Sequence, residues 1–340
     1  MINSNNMNNQ NLLDNYQNIL KELEVKSYRI DQISNWIFKK EVFDFDNMSN
    51  LPIKLRERLK KKYDILSLQI KKKERSRDGS TVKYLFKTKD NKYVEAVEMN
   101  YHNRKTLCIS SQIGCKMNCS FCATGAQGFT RNLSVSEILS QIFLTGDVSN
   151  IVFMGMGEPL DNYLVLKKAL KFINNEEYLN IGARKITIST IGIPEKISNL
   201  ADEQKQFKIS WSLHSTIKNI RNKIIPVSRK YDIDEIKNSL KYYKKLTKSS
   251  ITIEYLLIRN LNMSQEEAKN LSNIAEELGA KINFIPYNEH KYSNYKRPSS
   301  NEIDKFTKYL NRKKIFYTIR DSRGKDINAA CGQLAGKEKR

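Results

Sequence analysis

Seven short apolar runs, at residues 107–110, 151–154, 185–189, 208–213, 251–257, 281–285 and 315–319, alternate with amphipathic stretches near 134–144, 161–174, 194–204, 232–246, 264–278 and 300–312. This alternation leaves few folds open. Strands separated by a helix run parallel, because a crossover of that length returns the chain to the same end of the sheet. Parallel strands need cover on both faces, so some six units around a central ligand predict an α/β fold, a partial (β/α) barrel. Its working end is the mouth at the C-terminal ends of the strands.

The segments before this alternation read differently. Residues 1–11 hold six asparagines and little that packs, which predicts a disordered lead-in. Over 12–66 the period is helical, with Ile30, Ile33, Trp36 and Ile37 on one face and a stop at Asn50, Leu51 and Pro52. From 67 to 104 the period falls toward two. Runs at 82–86 and 93–97, joined by a turn at Lys89, Asp90 and Asn91, predict a short β segment. The barrel is expected over 105–323. A tail follows at 324–340, ending in the loose basic run KEKR.

Cys115, Cys119 and Cys122, spaced C-x3-C-x2-C on the loop after the first run, carry the chemistry. Three thiolates so close can each hold a different iron of one [4Fe–4S] cluster, leaving the fourth iron open to a substrate. Zinc is the alternative, but it wants four ligands, and the nearest spare ones are Cys108 and His102. Five cysteines in 340 residues, with no apolar targeting core, point to a reducing cytoplasm rather than a disulfide framework. No apolar run reaches the 18 or so residues of a membrane span.

The motif GMGEPL at 155–160 follows the second run. Its glycines permit close backbone approach, and Glu158 can accept hydrogen bonds from an ammonium group or simply favour the start of a helix. Lys and Arg total 59 against 37 Asp and Glu, a net charge of +22, and residues 54–77 alone hold 11 basic and 3 acidic side chains. That concentration favours a polyanionic partner over a merely solvated helix face.

The cysteine loop, with Phe121 before its last thiol, resembles the radical S-adenosylmethionine (SAM) superfamily. Four motifs narrow the resemblance to the RlmN/Cfr family of RNA adenosine methyltransferases: TLCISSQIGC at 106–115, CATGAQGFTRNL at 122–133, GMGEPL at 155–160 and DINAACGQL at 326–334. The resemblance implies a radical SAM partial barrel behind a small RNA-touching helical domain. It implies a [4Fe–4S] cluster on Cys115, Cys119 and Cys122, and two SAM molecules per turnover, contacted by Gly157, Glu158, Ser189, Ser212, Leu213, His214 and Asn288. It makes Cys331 the methyl carrier and Cys108 the resolving thiol that closes a transient disulfide with it. Glu95 matches the proton acceptor, although periodicity alone makes it an exposed strand carboxylate.

The implied product is an adenosine methylated at C2 in 23S rRNA, at the peptidyl-transferase centre, and in some members also in tRNA beside the anticodon. An aromatic and basic segment, Tyr287, Tyr292, Tyr295, Lys296 and Arg297, could hold the unstacked base. EPL at 158–160 and QGFTRN at 127–132 look more like this branch than like the C8-methylating branch that confers antibiotic resistance. The short stretch at 144–150, Ser215-Thr216-Ile217 after His214 and Asn260-Leu261-Asn262-Met263 depart from the usual pattern around the mouth. An external electron donor, a cytoplasmic location and a monomer are expected. The reading from another class is a zinc-bearing RNA-binding protein without turnover.

Overall fold

The computed structural model describes residues 9–22, 25–320 and 322–336. Residues 1–8 of the Asn-rich lead-in and the basic end at 337–340 lie outside the described residues.

The lead-in ends sooner than its composition suggests. β1 (Gln10–Asn11) pairs in parallel with β2 (Tyr63–Asp64), and the Asn11 side chain caps the following turn through Leu13 N at 2.9 Å. Between them lie α1 (Tyr16–Glu22), α2 (Ser27–Ser34) and α3 (Ile53–Lys62). Ile33 and Ile37 are fully buried, whereas Trp36 is half-buried, its Nε1 donating to Asn50 and Lys40 lying over its ring. This helical part is fastened to the barrel. Phe38 stacks on Phe172, and Asp14 accepts from Ser136 N at 2.8 Å, where a carboxylate suits a helix start.

Next comes an antiparallel meander, β3 (Leu68–Arg75), β4 (Thr81–Thr88) and β5 (Tyr93–Tyr101). β6 (Arg104–Cys108) pairs antiparallel with β5 on one side and opens the parallel array on the other. The β segment expected over 67–104 is therefore no separate unit, because its hydrogen bonds continue one sheet. The basic stretch at 54–77 divides between α3 and the edge strand β3, where exposed Lys71, Lys72 and Lys73 blunt edge pairing.

A ribbon of β7 (Gln112–Gly114) and β8 (Phe129–Asn132) brackets the cysteine loop and the single turn α4 (Ala123–Ala126). The alternation then unfolds as the periodicity predicts: α5 (Val135–Phe143), β9 (Asn150–Phe153), α6 (Tyr163–Asn174), β10 (Ile186–Thr190), α7 (Pro194–Asp202), β11 (Lys208–Ser212), α8 (Lys218–Ile224), α9 (Ile233–Thr247), β12 (Ile251–Leu257), α10 (Gln265–Leu278), β13 (Lys281–Pro286), α11 (Ser300–Arg312) and β14 (Tyr317–Ile319). Strand order is β14-β13-β12-β11-β10-β9-β6-β5-β4-β3, parallel from β14 to β6. This is the α/β partial-barrel class the alternation demands.

The local chemistry agrees with this outcome. Ser134 with Glu137, Asp232 with Glu235 and Ser299 with Glu302 form reciprocal capping boxes that start α5, α9 and α11. In the core Ile188, Ile209, Trp211, Ile253 and Phe284 are fully buried. Each such side chain contributes about 2 kcal/mol of hydrophobic stabilisation. Among the described residues no helix is long and apolar enough to cross a membrane.

Candidate active site

The cysteine loop is held by its own backbone and by the end of α8. Gly114 has φ +73°, and a Cβ there would stand 1.9 Å from the Gly128 carbonyl oxygen, so only glycine lets the two ends of the loop approach. Cys115 N donates to Gly128 O at 2.9 Å, Cys122 N to Cys119 O at 3.1 Å, and Ser120 N to Ile224 O at 3.0 Å. The three cysteines line one cavity at the C-terminal ends of the strands. Burial pushes the Cys115 thiol up to about 12, the Cys119 thiol well above its usual range and the Cys122 thiol upward. Their mutual proximity adds to the effect, and Arg221 opposes it at Cys119.

The segment expected to hold a base also braces this loop. His290 Nε2 donates to Phe121 O at 2.9 Å, and the Tyr295 hydroxyl lies 3.0 Å from Ser120 Oγ. Tyr287 lines the cavity but is 1% exposed, Lys296 pairs with Glu289, and Arg297 donates to the carbonyls of Pro286 and Tyr287. These rings and charges thus have a local structural use that composition does not reveal.

Glu158 lies in the same cavity, 4% exposed. Its Oε1 accepts from Leu160 N at 3.1 Å, which starts the turn at Pro159–Asn162, and its Oε2 accepts from Ile191 N at 3.0 Å. Both uses foreseen for this carboxylate are thus compatible. Burial still raises it to about 7, despite those hydrogen bonds. Gly157, φ +96°, packs on Gln112 so closely that a Cβ would come within 2.5 Å of the Gln112 Cβ.

The remaining expected SAM contacts divide. Ser189 and Ser212 line the cavity with hydroxyls 3.5 Å apart, Ser189 sitting inside β10 rather than beyond it. His214 lines it too, with φ +58°, Phe121 edge-on and Nδ1 accepting from Leu256 N at 3.1 Å. Burial, then the Arg221 charge, push this imidazole down to about 3, so it is neutral at physiological pH. Leu213 and Asn288 do not line the cavity. Leu213 is fully buried, and Asn288 donates to Ser322 Oγ at 2.9 Å and Cys331 O at 3.3 Å. The unusual residues after His214 have their own purpose: Thr216 N and Oγ1 and the Ser215 hydroxyl all donate to buried Glu267.

Cys108, at the end of β6, and Cys331, on the tail, complete the five cysteines of the cavity. Burial, then proximity to Cys331, push the Cys108 thiol up to about 12. Arg320, directly after β14, lines the same space, and Cys331 followed by buried Glu254 hold its guanidinium firmly charged. Sequence reasoning missed Arg320, Glu254 and Arg221. An acidic residue inside the apolar run at 251–257 was the available signal for Glu254. Arg221, 2% exposed, donates to the carbonyls of Ile191, Ser212 and Leu213 and so ties the ends of β10 and β11.

Glu95 departs from its periodicity. It is buried, not exposed, and is not among the residues lining the cavity. Its Oε1 pairs with Lys83 at 3.5 Å, and its Oε2 accepts from Ala335 N at 2.8 Å and Gly336 N at 3.0 Å.

Residues 109–271 match the Radical SAM superfamily model, and residues 2–65 match that of the ribosomal RNA large subunit methyltransferase N-terminal domain. The probable dual-specificity RNA methyltransferase RlmN of Carboxydothermus hydrogenoformans is 41% identical over 323 residues, spanning 94% of each chain. The dual-specificity RNA methyltransferase RlmN of Aliarcobacter butzleri is 42% identical, again over 94% of each. The chain belongs to the RlmN family. A crystal structure of a radical SAM methyltransferase from Sphaerobacter thermophilus superposes on this RlmN-family chain with a TM-score of 0.90 at 37% identity, covering 96% of this chain and 98% of that one.

Membership of the radical SAM superfamily implies a [4Fe–4S] cluster and SAM, and the RlmN-family cavity fits them. Among the described residues no group of three or more His, Cys, Asp or Glu is arranged to hold a single metal ion. A cluster asks instead for one thiolate at each of three irons. Its positive irons would stabilise as thiolates the sulfurs that burial alone keeps protonated.

Proposed function

We propose that this radical SAM methyltransferase places a methyl group on C2 of an adenosine in 23S rRNA, and on a tRNA adenosine beside the anticodon, through a methylated Cys331. The observation that carries the reading is the convergence of Cys108 and Cys331 on the cavity that also holds Cys115, Cys119 and Cys122.

In this reading Cys115, Cys119 and Cys122 hold the cluster. Glu158 receives the ammonium of SAM, with Gly157, Ser189, Ser212 and His214 around it; Leu213 contributes backbone, and Asn288 steadies Cys331. Two SAM molecules supply, in turn, a methyl cation equivalent and, with one electron through the cluster, a radical that removes a hydrogen atom from a methyl group. The Cys331 thiolate would attack the methyl carbon of the first SAM, displacing S-adenosylhomocysteine, and so become S-methylcysteine. Once activated, its carbon adds to the sp2 carbon of adenine, which is not nucleophilic and cannot take a methyl by polar transfer. The adduct would return one electron to the cluster that supplied it, and Cys108, as the thiolate that Arg320 favours, would take the ring proton. A Cys108–Cys331 bond then forms as the carbon–sulfur bond of Cys331 breaks. That electron pair, with a proton, completes the new methyl group. An external two-electron donor returns the disulfide to thiols.

The charge of +22 and the basic α3 and β3 support an RNA partner in the cytoplasm. Expression in a strain lacking its own enzyme, followed by mass spectrometry of rRNA and tRNA nucleosides, is expected to yield 2-methyladenosine. Recovery of 8-methyladenosine would assign the chain to the resistance branch. Stoichiometric zinc without iron in anaerobically purified protein would overturn the radical reading.

A further inference from the structure

We infer that Glu95 is a positioning residue that fastens the tail bearing Cys331, and not a group that touches the reacting atoms. The inference rests on the proposed role of Cys331 as carrier.

All three oxygens of Glu95 are engaged. One carboxylate oxygen faces Lys83, itself buried and also paired with Glu74 at 3.1 Å, so the cation is fixed on both sides. The other oxygen collects two consecutive backbone N–H groups, those of Ala335 and Gly336. Two N–H donors on one carboxylate oxygen make a charge-assisted clamp, stronger than bonds between neutral groups. The Glu95 carbonyl accepts from Ser110 Oγ at 2.6 Å, and Ser110 Oγ accepts from Met156 N at 2.8 Å, within the GMGEPL motif. One residue thus ties the loop proposed for SAM to the tail proposed for the methyl carrier.

The rest of the tail is pinned at the cysteine loop. Ala123 N donates to Gly332 O at 2.7 Å and Thr124 Oγ1 to Leu334 O at 2.7 Å. Cys331 stands just before these contacts, and Glu95 holds the end beyond them. Removing the clamp frees residues 335 and 336 and gives Cys331 latitude to leave the cavity. A proton acceptor, by contrast, would have to face the substrate base from the cavity wall, where Glu95 is absent.

The test compares Glu95→Ala with Glu95→Gln in reconstituted, anaerobically handled holoenzyme. Glutamine keeps an oxygen that can accept from both N–H groups but cannot accept a proton at neutral pH. Amide hydrogen exchange over 329–336 is expected to accelerate on the order of tenfold in Glu95→Ala and to stay within about threefold of the parent in Glu95→Gln. The kcat for RNA methylation should fall by about the same tenfold in Glu95→Ala, with KM for SAM unchanged, and be rescued in Glu95→Gln. Exchange unchanged in Glu95→Ala, or a Glu95→Gln enzyme as inactive as Glu95→Ala with its tail still protected, overturns the inference. A parent enzyme that methylates no RNA overturns the proposed function instead, while the exchange comparison still decides whether Glu95 anchors the tail.

Discussion

The loop bracketed by β7 and β8 and the tail beyond β14 bring cysteine to one cavity by contrasting means. The loop closes largely on itself: Cys115 to Gly128 and Cys122 to Cys119 are bonds between near neighbours, with Gly114 and Gly128 both left-handed at its ends, and remote bonds from Ile224 and His290 add to these. The tail has short internal turns, with Ala329 N on Gly324 O and Gln333 N on Ala330 O, but these do not fix it in the cavity. Its hold comes from Thr124 across 210 positions and from Glu95 across 240. The cysteine loop therefore rests first on local bonds and second on remote ones, whereas the placement of Cys331 in the cavity rests on remote elements staying in register.

Gly114→Ala is the hardest blow to the first of these regions. The added carbon meets the Gly128 carbonyl oxygen in a backbone conformation that alanine disfavours, a strain of about 3 kcal/mol or more concentrated in the loop. Iron per chain in reconstituted protein should fall toward zero. Protection from exchange at Ala335 and Gly336, anchored on β5, should persist. Full iron retention would sink the idea that the loop is braced locally.

Glu158 probes the cavity floor that the two regions share. Its carboxyl sits near 7 in the folded chain against 4.5 unfolded, so between those values the folded state binds more protons. Stability therefore falls as pH rises from about 4.5 to 7, by about 3 kcal/mol from this group, and levels off above. Glu158→Gln should flatten that slope in denaturant titrations. Because an ammonium pairs with the ionised carboxylate, SAM affinity should rise about tenfold from pH 6 to 8 in the parent and not in Glu158→Gln. The smallest effect is expected from Thr124→Val. Loss of its bond to Leu334 should cost about 1 kcal/mol, seen as modestly faster exchange over 329–336 with iron content unchanged.

How far the sequence could be read follows the same division. The parallel strands and their helices were legible because burial on one face repeats at a fixed period, and the cysteine trio because its spacing is local. Glu95 was misplaced by periodicity. Alternation says which strand residues share a face, but not that a tail 240 positions away will cover that face. β3 was not singled out as a strand because its run of lysines breaks the apolar alternation and reads as a basic patch for a polyanion until the edge of a sheet explains it. Tyr287 and Tyr295 read as a base platform, since nothing in an aromatic residue's identity says that its hydroxyl will meet His290 or Ser120. Arg221 carried no motif at all; only the folded chain brings three carbonyls around its guanidinium.

The bond from Thr124 to Leu334 has a consequence for the order of folding. Closing a loop of that length is entropically unfavourable, and the unfavourable term is offset only once the intervening strands have aligned. Cys108 and Cys331 share their cavity only in a chain whose intervening strands are in place. On the proposed mechanism, the thiol pair would be assembled only together with the completed barrel.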